Sequence, residues 1–253
     1  MIDFSAIKAI FFDADDTLFE VRGSIGEHYA SHLSNHGHNI TAAEIDSVIF
    51  QAWQRMSSSY DNREEGYVTD HARDDHVWQE FLSNVMHDVG VRMPSDELLA
   101  DIYGAFAKAS SRQLLPYAEQ LLEALSPHVA LGILTNNDRR IHQLIPELGL
   151  AKYFQHIFCA SDIGYKKPSH KVFMGITEQL GITTREILYI GDCPKNDVAG
   201  AVNADWNAIW LNRGLNPFSE SKAEDYPETQ AVPTIHCFSE LLEKLYQLKE
   251  PTE

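Results

Sequence analysis

The sequence predicts an α/β fold: a parallel sheet covered by helices on both faces, interrupted early by a helical insertion. Three observations point there. Short apolar runs recur along the chain, amphipathic helical patterns separate them, and one long stretch, from about Val21 to Gln113, contains no run that reads as a convincing strand. Strands and helices alternating at this spacing make a parallel sheet, because parallel neighbours need a long crossover where a hairpin needs two residues.

Taken in chain order, Ile7 to Phe12 is nearly all apolar and reads as a strand buried on both faces. Similar runs follow at Val129 to Leu134, His156 to Ala160, Ile187 to Ile190 and Ala208 to Leu211. Helical patterns lie between them. Ala118 to Leu125 carries Leu121, Leu122 and Leu125 on one face, and Arg139 to Leu148, His170 to Leu180 and Val198 to Asn203 follow the same period. Thr183 and Glu186 have capping-box spacing just before the strand at Ile187, which suits a short closing turn.

The insertion has its own pattern. Thr41 and Glu44 form a capping box ahead of Ile45, Val48, Ile49 and Trp53. Asp75 to Val89 places Val77, Phe81, Leu82 and Val85 at helical spacing, and Pro94 to Ala109 continues it. Trp53, Tyr60, Tyr67 and Trp78 are expected mostly to form the core of this unit. With hinges at Glu20 to Gly23 and Leu114 to Pro116, residues 1–20 and 114–253 make one unit and 21–113 the insertion. Ser219 to Val232 is polar and reads as a surface loop, and Ser239 to Leu248 as a last helix packed on the core.

Composition narrows the function classes. At 253 residues, 44% hydrophobic and 23% charged, the chain has material for one large or two modest domains of about 100–200 residues each. No run of about 18 apolar residues is present, so no membrane partner is expected. The opening MIDFSAIKAIFFD lacks a basic leader region, and three scattered cysteines make neither a disulfide framework nor a zinc motif. A reducing cytoplasm is the expected compartment. A net charge of -17 argues against nucleic acid, which is bound by clustered Lys and Arg. It leaves a small phosphorylated substrate open, since local donors and a metal outweigh a distant acidic surface screened over about 10 Å. Monomer and homodimer both remain open.

The chemistry gathers at strand ends. The first strand runs into FFDADDTLF, with Asp13 at the carboxyl end, where open parallel sheets bind ligands. A carboxylate there is a metal ligand, a nucleophile or the cap of a turn. Asp13, Asp15 and Asp16 lie within four residues, and carboxylates so crowded repel unless a cation or proton intervenes. Magnesium is the simplest such cation. The second strand ends in LGILTNND, placing Thr135 and Asn136 where a hydroxyl and backbone N–H groups can hold an anionic oxygen. GYKKPSHKVF brings Lys167, and GDCPKNDVAG brings Asp192 and Asp197. Singly, Thr135 reads as an N-cap, Lys167 as a solvated lysine and Asp192 as a turn former; together they line one edge of one sheet.

On these motifs the chain resembles the haloacid-dehalogenase superfamily of hydrolases, in the subgroup with a helical cap after the first strand. Asp13 and Asp15 match the aspartate pair of its first motif, Thr135 the second, Lys167 the third, and Asp192 and Asp197 the acidic fourth. The resemblance implies a Rossmann-like core with an inserted helical cap domain. It implies that Asp13 attacks phosphorus and becomes an aspartyl phosphate, and that Asp15 serves as acid and then base. Magnesium would be held by Asp13, Asp192 and the Asp15 carbonyl. Thr135 and the Asn136 N–H would bind phosphoryl oxygens, Lys167 would offset charge, and Asp197 would orient Lys167 or a metal-bound water. FFDADDTLF is similar to the opening of some pyrimidine nucleotidases of this superfamily; a sugar phosphatase is a further subclass. Dehalogenases of the same superfamily attack carbon without magnesium and need no second acid, so Asp15 favours phosphoryl chemistry. A phosphomutase shares all four motifs and stays open.

Two other features invite a different reading. His28 and His32 are four apart on a helical pattern, a spacing able to grip zinc, yet no HExxH motif or cysteine pair accompanies them. They read as surface helical histidines. Cys193 follows Asp192 among carboxylates, the wrong setting for a nucleophilic thiolate, and reads as a small loop residue.

Overall fold

The computed structural model describes residues 2–60, 65–214 and 222–247. Strand β1, Ala9–Phe12, is buried along its whole length. A tight loop leads to β2, Phe19–Val21, and then to four helices: α1 Ile25–Asn35, α2 Ala42–Tyr60, α3 His71–Asp88 and α4 Asp96–Ala105. The chain returns through β3, Arg112–Leu114, and α5, Ala118–Leu125. It then alternates: β4 Ala130–Thr135, α6 Ile141–Glu147, β5 His156–Cys159, α7 Ala160–Ile163, α8 His170–Leu180 and β6 Ile187–Gly191. A turn of π-helix, Pro194–Ala199, runs into α9, Gly200–Asn203, followed by β7 Asn207–Leu211, α10 Glu228–Ala231, β8 Thr234–Ile235 and α11 Phe238–Gln247.

The main sheet has the order β5-β4-β1-β6-β7-β8, and every neighbouring pair is parallel. Ile10 stands opposite both Leu131 and Leu188. Alternation along the strands feeds two cores. Ile10, Phe12, Ile133 and Ile190 pack under α5 and α11, against Leu122 and Leu241. Ala9, Phe11 and Tyr189 pack under α8 and α9, against Phe173 and Ala201. Gly132 is required by this packing, because a Cβ there would stand 2.3 Å from the Phe11 ring. The fold is therefore Rossmann-like α/β. From β1 the chain moves outward through β4 and β5 on one side and through β6, β7 and β8 on the other. The carboxyl end of β1 is thus a topological switch point, where such sheets leave a crevice.

Helices α1 to α4 bury a separate core of Leu33, Ile45, Ile49, Val77, Phe81, Val85 and Ile102. Caps set their starts: Ser24 and Glu27 box α1, Asp70 caps α3 and Ser95 caps α4. At α2, the Thr41 N–H donates to Glu44 Oε2 at 2.8 Å and the Glu44 N–H to Thr41 Oγ1 at 3.3 Å. Trp53 and Trp78 are half-buried against this core, whereas Tyr67 lies on the loop before α3. The Tyr60 side chain lies outside the described residues.

Four elements differ from the sequence reading. The expected hinges are not bare loops: β2 and β3 pair antiparallel, Phe19 against Leu114 and Val21 against Arg112. Three residues are too few to show a period of two. The two-residue β8 extends the sheet by one strand for the same reason. The expected tail loop contains α10, whose buried Thr229 hydroxyl donates to Tyr226 O at 2.8 Å; Ser219 to Ser221 lie outside the described residues, as does Leu248 of the last helix. The helix expected at Val198 starts earlier, as the π turn, with Pro194 at its first position.

A carboxylate-rich candidate active site

The site forms where β1, β4 and β6 end side by side. Asp13 is the residue after β1, and its N–H still donates to Ile190 O at 2.9 Å, so its carboxylate leaves a rigid sheet edge. The loop beyond it folds tightly: Asp16 takes a left-handed conformation (φ 61°), tolerable for Asp, and its N–H donates to Phe19 O at 2.7 Å. This turn sends Asp13 and Asp15 to different partners.

Lys167 reaches Asp13. It lies on the loop between α7 and α8, ahead of the cis Lys167–Pro168 bond. Asn136, just past β4, fixes that loop at two points: its Nδ2 donates to Lys167 O and its Oδ1 accepts from Lys167 N, both at 2.8 Å. The buried ammonium donates to Asp13 Oδ1 at 2.6 Å, Asp197 Oδ1 at 2.7 Å and the Tyr189 hydroxyl at 2.7 Å. Tyr189 in turn donates to Leu134 O at 2.6 Å. All three ammonium donors are used, which a buried charge requires.

Asp192 follows β6. Its Oδ1 accepts from the Thr17 hydroxyl at 3.4 Å, and its carbonyl from the Trp210 indole at 2.8 Å. Asp197 Oδ2 accepts from the Cys193 N–H at 2.9 Å. Asp197 approaches Gly191 so closely that a Cβ there would sit 2.4 Å from its Oδ2. Oxygens of Asp13, Asp192 and Asp197 all lie within 4.8 Å of one another. Three carboxylates crowd together, two of them on the Lys167 ammonium, and their mutual repulsion favours a proton or a cation among them. An all-oxygen donor set of this kind fits a hard divalent cation such as magnesium.

Asp15 is held apart from that cluster. Arg112 Nε donates to its Oδ1 at 3.0 Å and Asn137 Nδ2 to its Oδ2 at 2.7 Å. Arg112 is buried and lies over the rings of Phe106 and Phe19, 5.4 and 5.9 Å from their centroids. Thr135, at the end of β4, accepts from the Asn137 N–H at 3.1 Å and so shapes the loop that carries Asn137.

Burial has the largest influence on Asp13 and lifts its carboxyl to about 8; Lys167 pulls it down, while Asp197 and Asp192 push it further up. Asp16 rises to about 6 through burial, then through Asp15 and Asp13. For Lys167, burial alone would favour the neutral amine, but Asp13 and Asp197 more than offset it and hold its pKa above the ordinary value. Cys193 is pushed up to about 12, by burial first and then Asp197, so its thiol is a poor nucleophile at neutral pH.

All seven residues singled out from sequence lie around this crevice. The Asp15 carboxylate stands off from the acidic cluster, and Asp197 takes part in it while also holding Lys167. Sequence reasoning missed Arg112, Asn137 and Tyr189. Asn137 adjoins Thr135 and Asn136 in one motif and was within reach. Tyr189 looks like any apolar strand residue, and Arg112 sits 97 residues from its partner Asp15 in a three-residue strand. His28 is half-buried, its ring 5.5 Å from that of Phe106 and its Nε2 2.9 Å from Arg22 O. Among the described residues, neither His28 nor His32 belongs to a metal-competent cluster.

The family model of haloacid dehalogenase-like hydrolases matches residues 7–205. The pyrimidine 5'-nucleotidase YjjG of Escherichia coli strain K12 is 27% identical over 240 residues, 92% of this chain and 96% of that protein. Among solved structures, the HAD-hydrolase YfnB of Bacillus subtilis, described as bound to magnesium, is similar at a TM-score of 0.72 and 21% identity, covering 94% of this chain and 98% of that one. A 2-haloacid dehalogenase from Pseudomonas syringae is similar at a TM-score of 0.61 and 25% identity, covering 96% and 99%.

Proposed function

The chain belongs to the haloacid dehalogenase-like hydrolase family, and on that premise we propose that it is a magnesium-dependent phosphomonoesterase acting on a small phosphorylated metabolite through an aspartyl-phosphate intermediate. The observation that carries the reading is the fixed position of Asp15. Its carboxylate is gripped by Arg112 and Asn137, two residues beyond Asp13. A departing alkoxide needs a proton, whereas a departing halide needs none.

In this reading an Asp13 oxygen attacks phosphorus while the ester P–O bond breaks. Asp15 gives its proton to the departing oxygen. Asp15 then takes a proton from water, whose oxygen attacks the aspartyl phosphate and breaks the bond to Asp13. Inorganic phosphate leaves and both carboxyl groups return to their starting states. Lys167 offsets the repulsion between the attacking Asp13 oxygen and the phosphate. Thr135 and the backbone N–H of Asn136 hold phosphoryl oxygens. Asp13, Asp192 and the Asp15 carbonyl would hold magnesium, which supplies counter-charge to the phosphoryl group. Asp197 keeps Lys167 in place. The helices of residues 21–113 act as the cap that chooses the substrate.

A generic aryl phosphate tests the reading, with and without magnesium and beside Asp13→Asn. Turnover that needs both metal and Asp13 supports it. Halide release from a 2-haloacid without metal points to the dehalogenase, the reading favoured by the Pseudomonas syringae likeness. Given phosphatase activity, a screen across nucleotides, phosphorylated sugars and short phosphorylated acids names the class; the nucleotidase relative puts pyrimidine nucleotides first. Transfer of the phosphoryl group within a sugar, without release, would mark a mutase.

A further inference from the structure

A second convergence of ligating groups lies outside the crevice, where the start of α3 meets the sheet unit. Asp162, on α7, is its centre. The His142 Nε2 lies 2.9 Å from Asp162 Oδ2, the Cys159 Sγ donates to the same oxygen at 3.3 Å, and the His71 Nε2 lies 3.4 Å from Asp162 Oδ1. Cys159 Sγ and His142 Nε2 are 4.0 Å apart. Ligating atoms of His71, Cys159 and Asp162 all fall within 4.8 Å of one another. Tetrahedral zinc, with bonds of about 2.0–2.3 Å, holds its ligands roughly 3.3–3.8 Å apart, a spacing that the Asp162–Cys159 and Asp162–His71 pairs at 3.3 and 3.4 Å match.

We propose that His71, His142, Cys159 and Asp162 form a transition-metal site, selective for zinc over magnesium, that pins the helical insertion to the sheet unit. The donor chemistry decides the metal. A thiolate and two imidazoles are borderline-soft ligands that suit zinc, whereas the all-carboxylate cluster at Asp13 suits a hard ion. Access is built in: Cys159 forms a buried floor, while the His71 and His142 side chains are 45% and 42% exposed at the rim. His71 is also pre-oriented, because its Nδ1 meets the Ser161 hydroxyl at 3.0 Å, the outer-shell support that metal-binding histidines use. Burial lifts the Cys159 thiol to about 12, so the unmetallated site carries a proton on sulfur. On binding, the S–H bond breaks, the sulfur–metal bond forms and the proton passes to solvent.

The bridge has mechanical consequences. His71 opens α3 of the insertion, whereas the other three ligands belong to α6, β5 and α7. Three residues on, Asp74 is buried, accepting from the Thr69 hydroxyl at 2.6 Å and pairing with Lys166 at 3.2 Å, next to Lys167. Metal at this junction would hold the start of α3 against the loop that carries Lys167.

Cobalt(II) is the probe, since cobalt–thiolate charge transfer absorbs in the near ultraviolet; Cys193 adjoins the carboxylate cluster, and a band from its sulfur would survive in Cys159→Ser. Titrating metal-free protein should give that band at one equivalent. Zinc should abolish it, magnesium should not, and Asp13→Asn should keep it. Cys159→Ser should lose it, and His71→Ala and His142→Ala, at exposed positions that tolerate truncation, should each weaken cobalt binding at least about 10-fold. Zinc should also slow hydrogen exchange at the start of α3 in the parent protein and not in His71→Ala. No band at saturating cobalt, a band that survives in Cys159→Ser, or undiminished binding in both histidine variants would overturn the site. A band without the exchange effect would overturn the bridge. Each outcome is independent of phosphatase turnover.

Discussion

Arg112 Nε donates to Asp15 Oδ1 at 3.0 Å, so the ribbon through which the chain returns from the helical insertion also grips the acid of the proposed reaction. Arg112 touches no reacting atom in that scheme and acts through Asp15. Arg112→Ala should therefore lower kcat about 10-fold for alkyl phosphates and far less for aryl phosphates whose leaving group needs no proton, with KM little changed. Asp15→Asn should show the same selectivity more strongly, roughly 10²–10⁴-fold on alkyl phosphates. Steady-state kinetics across leaving groups of graded pKa reads both. An equal loss on every leaving group would mean that Arg112 only stabilises the fold.

Removing Lys167 attacks charge balance instead. Its ammonium is shared by Asp13 and Asp197, all three groups lying out of water. Lys167→Met should destabilise the metal-free protein by about 3–5 kcal/mol, because two buried carboxylates are left without their cation. Adding Asp197→Asn should recover part of that loss, and magnesium should recover more. Denaturant unfolding with and without magnesium checks this; purely additive single and double variants would refute the coupling.

Gly191 tests the architecture behind Asp197. A Cβ at this position would lie 2.4 Å from Asp197 Oδ2 and 2.6 Å from its Cβ, so the side chain must swing away from Lys167. Gly191→Ala should cost about 1–3 kcal/mol and weaken magnesium binding with it. Unfolding together with a magnesium titration separates the two effects, and unchanged metal affinity would show that Asp197 tolerates the shift.

Of the five predicted strands, β1, β4 and β6 were legible because they are buried on both faces and read as unbroken apolar runs, and the half-buried β5 and β7 from shorter apolar runs. Helix α2 was legible from period and capping, and α3 from period alone, its cap Asp70 unnoticed. The ribbon of β2 and β3 was not, since three-residue strands carry no period and their pairing closes a loop of some 90 residues. The same gap hid Arg112, whose role depends on that closure. Asp13, Thr135 and Asp192 stood out because each lies in a compact polar motif at a strand end, and Lys167 because it precedes Pro168 and a helix. The ligating set around Asp162 did not, because it draws His71, His142 and Cys159 from three separate elements, and only the folded chain joins them.

The last prediction concerns pH and metal together. The folded-state pKa values of Asp13 (about 8) and Asp16 (about 6) lie above the ordinary carboxylate range, because burial penalises both anions. Between the unfolded value, near 3.8, and these folded values the native state binds more protons than the unfolded state. The stabilisation from protonation is thus fully present below about pH 4 and is lost as pH rises through 6 and then 8. The metal-free protein should lose thermal stability over that window from these two groups. Magnesium would reverse the logic, since in the proposed site it would bind the deprotonated carboxylates and should stabilise most at the alkaline end. Thermal unfolding from pH 5 to 9, in chelator and in magnesium, should give curves that diverge as pH rises. Asp13→Asn, which removes the buried charge, should flatten the chelator curve and remove most of the divergence. A chelator curve whose slope Asp13→Asn leaves unchanged would show that Lys167 keeps Asp13 ionised throughout and that the pH dependence arises elsewhere.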